Sequence, residues 1–364
     1  MALEIGIAAI KALAVLLMVL QLAGTLGWIE RKGSALIQDR IGANRAAVFG
    51  FTGAGLVNTL MADPLKFITK EDVVPAGADR LLHLLAPCVN LFPALVTFAV
   101  IPFGDVLKVG DLEVNLQVAP LDVGVLYVLA AASLGVYGVV LGGWASNDRW
   151  SLLGGIRGSA QMISYELAMG LAIVAMVMTY GSLDLQAMAR AQGGRLASWL
   201  PLPAWGIFYQ PVAFLIFLCA GIAESKRIPF DLPEAESELV SGYFTEYSGV
   251  KHLMFFMTDF VEVIIVSGLV TTLFFGGWQV PGLARDGFHL GTSAMLLPQI
   301  VVAVLQLVSF TVKVVFFCWL QIMIRWTLPR FRYDQLMRLG WKGLLPVALA
   351  NVVITAAVLL AVQP

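Results

Sequence analysis

Eight apolar runs of roughly bilayer-crossing length divide this chain, separated by segments in which charge and proline collect. They fall at residues 5–28, 82–103, 121–142, 159–181, 209–224, 253–275, 299–324 and 341–362. This pattern predicts an all-α, polytopic membrane protein with about eight transmembrane helices, forming a single integral membrane domain over residues 1–364. Glu30-Arg31-Lys32 stops the first run. No basic segment precedes that run and no small-residue cleavage site follows it, which predicts a retained helix rather than a signal peptide. Most of the 23 lysines and arginines lie in the segments after the odd-numbered runs. The positive-inside rule therefore predicts both termini outside, with segments 29–80 and 225–252 inside.

Segment 29–80 carries its own periodicity. Val57, Leu60, Met61, Leu65 and Ile68 cover one side of a helix, while Thr59, Asp63, Lys66 and Lys70 follow helical spacing on another. Such a helix suits the inner membrane surface, in contact with lipid. Asp63-Pro64 fits an N-cap and first residue of a fresh helix, and equally a kink in one continuous helix. Gly53-Ala54-Gly55 is only a fragment of a dinucleotide-binding fingerprint, with no strand before it. The segment from Asp184 to Pro203 reads as an outer loop.

The polar run from Glu224 to Tyr247 breaks the pattern most sharply. It holds Glu224, Asp231, Glu234, Glu236, Glu238 and Glu246, a quarter of the 24 acids, against Lys226 and Arg227 alone. Pro229 and Pro233 interrupt any helix there. Glu234, Glu236 and Glu238 alternate at i, i+2, a spacing that stacks no helical face. Like charges so close raise one another's pKa, so the run can hold and exchange protons near neutral pH. A solvated acidic loop is the plainer alternative.

Charge also enters the apolar runs. Glu166 lies in the fourth, Asp259 and Glu262 in the sixth and Lys313 in the seventh. Each such charge costs about 2.5–3.5 kcal/mol on insertion scales and needs a partner or a polar cavity. Asp259 and Glu262 share a face at i, i+3, and a structural ion pair with Lys313 is one reading of them. A proton-conducting line that Glu224 joins to the acidic loop is the other.

Composition narrows the classes. The chain is 59% hydrophobic and 13% charged, with a net charge of -1 and a mean hydropathy of +0.85. A large soluble core and a nucleic-acid partner are both excluded as expectations. Cys88, Cys219 and Cys318 are far apart in apolar runs and fit neither a disulfide framework nor a cluster motif, so they are expected to pack as apolar residues. His83, His252 and His289 lie at or beyond the ends of runs, so no pair can ligate a haem within the bilayer. No metal site is expected, and redox chemistry would need electrons from another subunit.

The run Pro229-Phe230-Asp231-Leu232-Pro233-Glu234-Ala235-Glu236-Ser237-Glu238-Leu239, followed by Gly242, resembles the signature of the subunit 1 family of the proton-pumping NADH:quinone oxidoreductase, respiratory complex I. Further similarity lies in Glu30-Arg31-Lys32, Gln38-Asp39-Arg40-Ile41-Gly42, Ala62-Asp63 with Lys66, and Lys70-Glu71-Asp72. It continues through Gly143-Trp144-Ala145-Ser146, Ser151-Leu152-Leu153-Gly154, Ser164-Tyr165-Glu166, Arg325-Trp326-Thr327 and Arg332-Tyr333-Asp334-Gln335-Leu336, covering nearly the whole chain. The resemblance implies an all-helical subunit at the junction of membrane and peripheral arms, forming much of the chamber for a quinone substrate. Iron-sulfur clusters and flavin would belong to partner subunits. The partners would be other membrane and peripheral subunits of complex I, including the iron-sulfur subunit nearest the quinone, in an energy-transducing membrane such as a bacterial plasma membrane.

By position, the resemblance implies quinone-chamber roles for Arg31, Lys66 and Arg227. It implies proton-coupling roles for Glu30, Asp63, Asp72, Glu166, Glu224, Glu234, Glu236, Glu238, Glu246 and Asp259. The reading of the loop and the spans adds Asp231, Glu262 and Lys313. Three departures stand out: Gly42-Ala43-Asn44 where the family has Gly-Pro-Asn, Thr59-Leu60 where it has Gln-Pro, and Ser133 where many members carry an acid. Two other functions remain open at this stage. One is a stand-alone transporter or ion channel; the other is the membrane subunit of a related hydrogenase or ferredoxin-linked complex.

Overall fold

The computed structural model describes residues 2–42, 47–48, 51–52, 55–109, 112–197, 200–285, 287–290 and 293–362. Helix α1 (Ala2–Ile37) leads through the short hairpin β1 (Ala47–Val48) and β2 (Phe51–Thr52) to α2 (Gly55–Thr69). α2 runs through Pro64 as a single helix, which settles the choice left open by Asp63-Pro64. α3 (Arg80–Thr97) starts where the Asp79 carboxylate accepts hydrogen bonds from the amides of Leu81 and Leu82. A hairpin of β3 (Val106–Val109) and β4 (Leu112–Asn115) then precedes α4 (Gly124–Ala145) and α5 (Arg149–Tyr180). Asp148 caps α5 at one end and Gly181, at φ 66°, ends it at the other.

The segment after α5 is more ordered than the expected loop. It folds as α6 (Leu185–Ala191), the hairpin of β5 (Arg195–Ala197) and β6 (Leu200–Pro203), and the single turn α7 (Gly206–Tyr209). α8 (Pro211–Glu224) carries proline at its first turn. The acidic run contains the turn α9 (Glu236–Leu239) and a 3-10 turn at Gly242–Phe244 before α10 (Gly249–Phe274). β7 (Leu283–Ala284), β8 (Gly287–Leu290) and β9 (Ser293–Leu296) form an antiparallel sheet ahead of α11 (Gln299–Thr327). α12 (Tyr333–Arg338) passes through a π turn at Leu339–Leu344 into α13 (Leu345–Val362).

Among the described residues, seven helices are long and apolar enough to cross a membrane. The fifth hydropathy run is α8, whose 14 residues extend about 21 Å, short of the ~30 Å hydrocarbon layer. Several helices also outrun their apolar stretches: α5 begins at Arg149 and α1 continues to Ile37. Charged residues at a helix end remain helical after they leave the bilayer, so hydropathy marks the membrane and not the helix terminus.

α10 lies at the centre, packed against α1, α3, α8 and α11. One face of the bundle gathers β3 to β9, and Lys11 near the start of α1 donates to the carbonyls of Asn115 and Gln117 there, at 3.2 and 2.9 Å. The other face gathers α2, α9 and the acidic run. Cys318 is buried and donates to Ser267 Oγ at 3.3 Å. Cys88 is exposed on α3 rather than packed.

Candidate functional site

The acidic run is a folded plug, not a solvated loop. Phe230 and Leu232 belong to the main hydrophobic core, and the Phe230 ring meets those of Tyr165 and Phe331 at 5.5 and 5.4 Å. Burying each such side chain contributes about 1.5–3 kcal/mol. The Gln161 amide of α5 donates to the carbonyls of Ala223 and Phe230, at 2.7 and 2.8 Å, and stitches both ends of the turn after α8. Glycine permits the rest of the closure. A Cβ on Gly154 would stand 2.7 Å from the Tyr243 amide nitrogen, and one on Gly242 (φ 62°) would overlap the Pro233 carbonyl oxygen.

This anchoring turns ionised groups inward. Lys226 follows the end of α8 in the left-handed conformation, φ 53°, usually taken by glycine just past a helix. Its side chain is fully buried, with Nζ 3.3 Å from Asp259 Oδ1 and 3.0 Å from Glu262 Oε2 on α10. Burial alone would push this ammonium down, but Glu262 and Asp259 more than offset it and hold the ammonium above its ordinary value. Arg227 donates to Glu30 Oε2 at 2.8 Å, and its guanidinium lies 4.0 Å from the centre of the Phe260 ring. Arg325 of α11 closes the other side of Glu30, at 2.6 Å. Leu26, Glu30, Arg227, Phe260, Gln321 and Arg325 together line a narrow cleft between α1, α10 and α11.

Asp231 receives Arg330 Nη2 at 2.7 Å. Burial pushes its carboxyl up to about 6, with Arg330 and Arg325 limiting the rise. Glu234 stands well above the ordinary carboxylate range, first because it is buried, then because Asp259 and Asp231 face it. Among the described residues Glu30, Glu224, Asp231, Glu234, Asp259 and Glu262 face Lys226, Arg227, Arg325 and Arg330, so acids outnumber bases. Burial favours neutrality, and protons bound to the excess carboxyls bring the cluster toward it.

The other expected residues lie outside this cluster. Arg31 pairs with Asp63 of α2 at 2.9 Å on the surface, and Lys66 is exposed. Asp72 pairs with Lys251 at 2.8 Å, and Glu238 with Arg157 at 2.7 Å. Glu246 is half-buried, and the Glu236 side chain lies outside the described residues. Glu166 accepts a hydrogen bond from Ser133 Oγ, so the hydroxyl standing at the departure on α4 meets the acid on α5. Glu224 borders an internal cavity together with Glu262.

Lys313 departs furthest from expectation. It pairs with neither Asp259 nor Glu262. Its ammonium donates to the carbonyls of Phe275, Gly277 and Gln279, at 2.9, 3.0 and 2.7 Å, just past the end of α10 on the opposite face. A cation is stabilised at that helix terminus by the carbonyls it caps. Lys226 fills the role the sequence reading gave to Lys313. Arg325 and Arg330 were missed as partners as well, although Arg325 stands within a motif that carried the resemblance; only their convergence in space reveals the pairing.

Comparison with known proteins places these features in a family. The family model described as NADH dehydrogenase matches residues 10–356. The NADH-quinone oxidoreductase H subunit 2 of Geobacter sulfurreducens is 49% identical over 359 residues, covering 99% of this chain and 98% of its own length. The NADH-quinone oxidoreductase H subunit of Bdellovibrio bacteriovorus is 42% identical over 380 residues, covering 98% and 97%. NADH-quinone oxidoreductase subunit 8 of Rhodothermus marinus is 45% identical over 334 residues, covering 92% of each.

Proposed function

Because the chain belongs to the NADH dehydrogenase family that includes the H-type subunits of NADH-quinone oxidoreductase, we propose that it joins quinone reduction to proton movement through its buried carboxylates. It is a multi-pass membrane subunit of an oxidoreductase complex whose other subunits are its partners, and a quinone is the substrate. The single observation that carries the finer reading is the excess of carboxyl groups over cations in the buried cluster built by the acidic run, α1, α10 and α11.

Reducing a quinone to a quinol takes two electrons and two protons. In this reading the electrons come from carriers in the partner subunits, iron-sulfur clusters and flavin, the nearest being that of the iron-sulfur subunit closest to the quinone. The headgroup approaches the end of the bundle where Glu30, Arg227 and Arg325 meet, while an apolar tail follows the cleft walls of Leu26 and Phe260. A negative charge forming on the headgroup would draw on the guanidinium groups, loosen their hold on Glu30 and Asp231, and raise the proton affinity of those acids. A proton held among the buried carboxyls would then move, with Lys226 standing between Asp259 and Glu262. Arg31 and Lys66 would flank the entrance from the α2 side. Asp63, Asp72, Glu236, Glu238 and Glu246 would form the polar rim; Glu166 and Glu224 would continue the line into the bundle. The concentration of basic residues on the face of the acidic run supports an inner location for that face, with both termini outside.

The test uses the intact complex in proteoliposomes. A photoreactive quinone is expected to label this chain near Glu30, Arg227 and Arg325, and Glu234→Gln is expected to lower protons translocated per electron at least twofold in a complex that still assembles. Labelling confined to other subunits, with Glu234→Gln and Asp259→Asn both fully coupled, would overturn the reading.

A further inference from the structure

Asn90, in the middle of α3, is 1% exposed, and among the described residues neither end of its side-chain amide has a hydrogen-bond partner. Leaving one buried polar group unsatisfied costs about 1–3 kcal/mol, so an amide idle at both ends calls for an explanation. No neighbour on α4 can supply one. The two helices approach so closely that a Cβ on Gly138 would lie 2.7 Å from Asn90 Cα, and a Cβ on Gly135 4.0 Å from Asn90 Oδ1.

The amide borders a cavity enclosed by α3, α4, α5, α8 and α10, with about 40 Å³ available to water. At about 10–15 Å³ for each molecule, that is room for roughly three. Most of the wall is apolar, including Ala94, Val128, Met162 and Ile265; the polar exceptions are Asn90, Thr97, Glu224 and Glu262. The Thr97 hydroxyl hydrogen is already committed to the Pro93 carbonyl, at 2.9 Å. Glu262 is the carboxylate that accepts from Lys226, so the cavity opens directly on the loop cluster. Glu224 makes no hydrogen bond or ion pair among the described residues.

An amide donates and accepts at once without changing its charge, which is what orients a water between two acids. We propose that Asn90 is a positioning residue, holding the ordered water through which Glu262 and Glu224 exchange protons. The inference rests on the reading that these carboxylates move protons. It adds the residue that anchors the medium between them, where apolar walls offer no other hold.

The test compares Asn90→Thr with Asn90→Val in the intact complex in proteoliposomes. The two replacements share a shape and differ by one hydroxyl. Protons translocated per electron and the solvent deuterium isotope effect on quinone reduction are read against the amount of assembled complex. The Val variant is expected to lose at least half of the proton yield and to show an altered isotope effect, while Thr retains most of both. Equal behaviour of the pair overturns the proposal; joint loss of assembly also overturns it, since that marks a packing residue. Glu224→Gln and Glu262→Gln separate the two levels. If both pump normally, the underlying reading of the carboxylates fails. If either loses pumping while Val at position 90 does not, only the role of Asn90 fails.

Discussion

Asp231 shows how burial and charge divide the control of one carboxyl group. Burial pushes it up to about 6, and Arg330 and Arg325 keep it from rising further. Its proton is therefore held more tightly in the folded chain than in the unfolded one. Asp231 favours the folded state below pH about 4, near the ordinary carboxylate value, and that contribution is lost as pH rises through about 6. In Asp231→Asn the carboxyl band titrating near pH 6 should vanish from infrared difference spectra, and resistance to thermal inactivation should vary less between about pH 4 and 6. An unchanged band would assign that titration to another group. Lys226 illustrates the opposite balance, a cation whose burial would be unsustainable without Asp259 and Glu262 beside it.

At the scale of elements, the plug is positioned by its apolar residues and glycines, and that positioning carries Asp231 and Glu234 inward. Gly242 is the tightest point, because a Cβ there would collide with backbone, the Pro233 carbonyl, and its positive φ adds a second penalty. Gly242→Ala should therefore displace the run that carries Asp231 and Glu234. The expected result is at least a tenfold fall in quinone reductase activity per assembled complex, or loss of the subunit from the complex, whereas Ala at Gly170, where nothing lies within 4 Å, should be silent. The sequence made the helices legible, since each apolar run returned as a helix, and it marked the acidic run as exceptional. It could not say which acids face inward. A segment broken by Pro229 and Pro233 has no period from which to read a face, so the burial of Glu234 and the exposure of Glu238 emerge only when Phe230, Leu232 and Tyr243 dock. Nor could it pair Lys313, because hydropathy places that residue within a run without registering that α10 ends beside it.

The whole molecule sets a face with an excess of buried acid against one whose charges brace the fold. On the face opposite the acidic run, Asp105 is 4% exposed and accepts from Arg190 Nη2 at 2.7 Å and Arg285 Nε at 2.8 Å, while its amide donates to Gln306 Oε1 at 3.0 Å. The carboxylate thus fastens the segment before β3 to α6 and to the β7–β8 sheet, and the backbone amide of the same residue fastens it to α11. Burial works against its ionisation, but Arg285 and Arg190 prevail and hold Asp105 below the usual carboxylate range. With Lys313 capping α10 nearby, Asp105, Arg190, Arg285 and Lys313 each have a bracing partner, unlike the loop cluster with its excess acid. Asp105→Asn keeps the side-chain volume and removes the charge that two arginines hold. It should lower the thermal inactivation temperature by a loss of about 1–3 kcal/mol, the range for a charged hydrogen-bonded contact. Quinone turnover and protons per electron at 25 °C should remain as in the parent. Full thermal stability combined with altered proton yield would instead make this face part of the proton route, and the division of labour between the two faces would have to be redrawn.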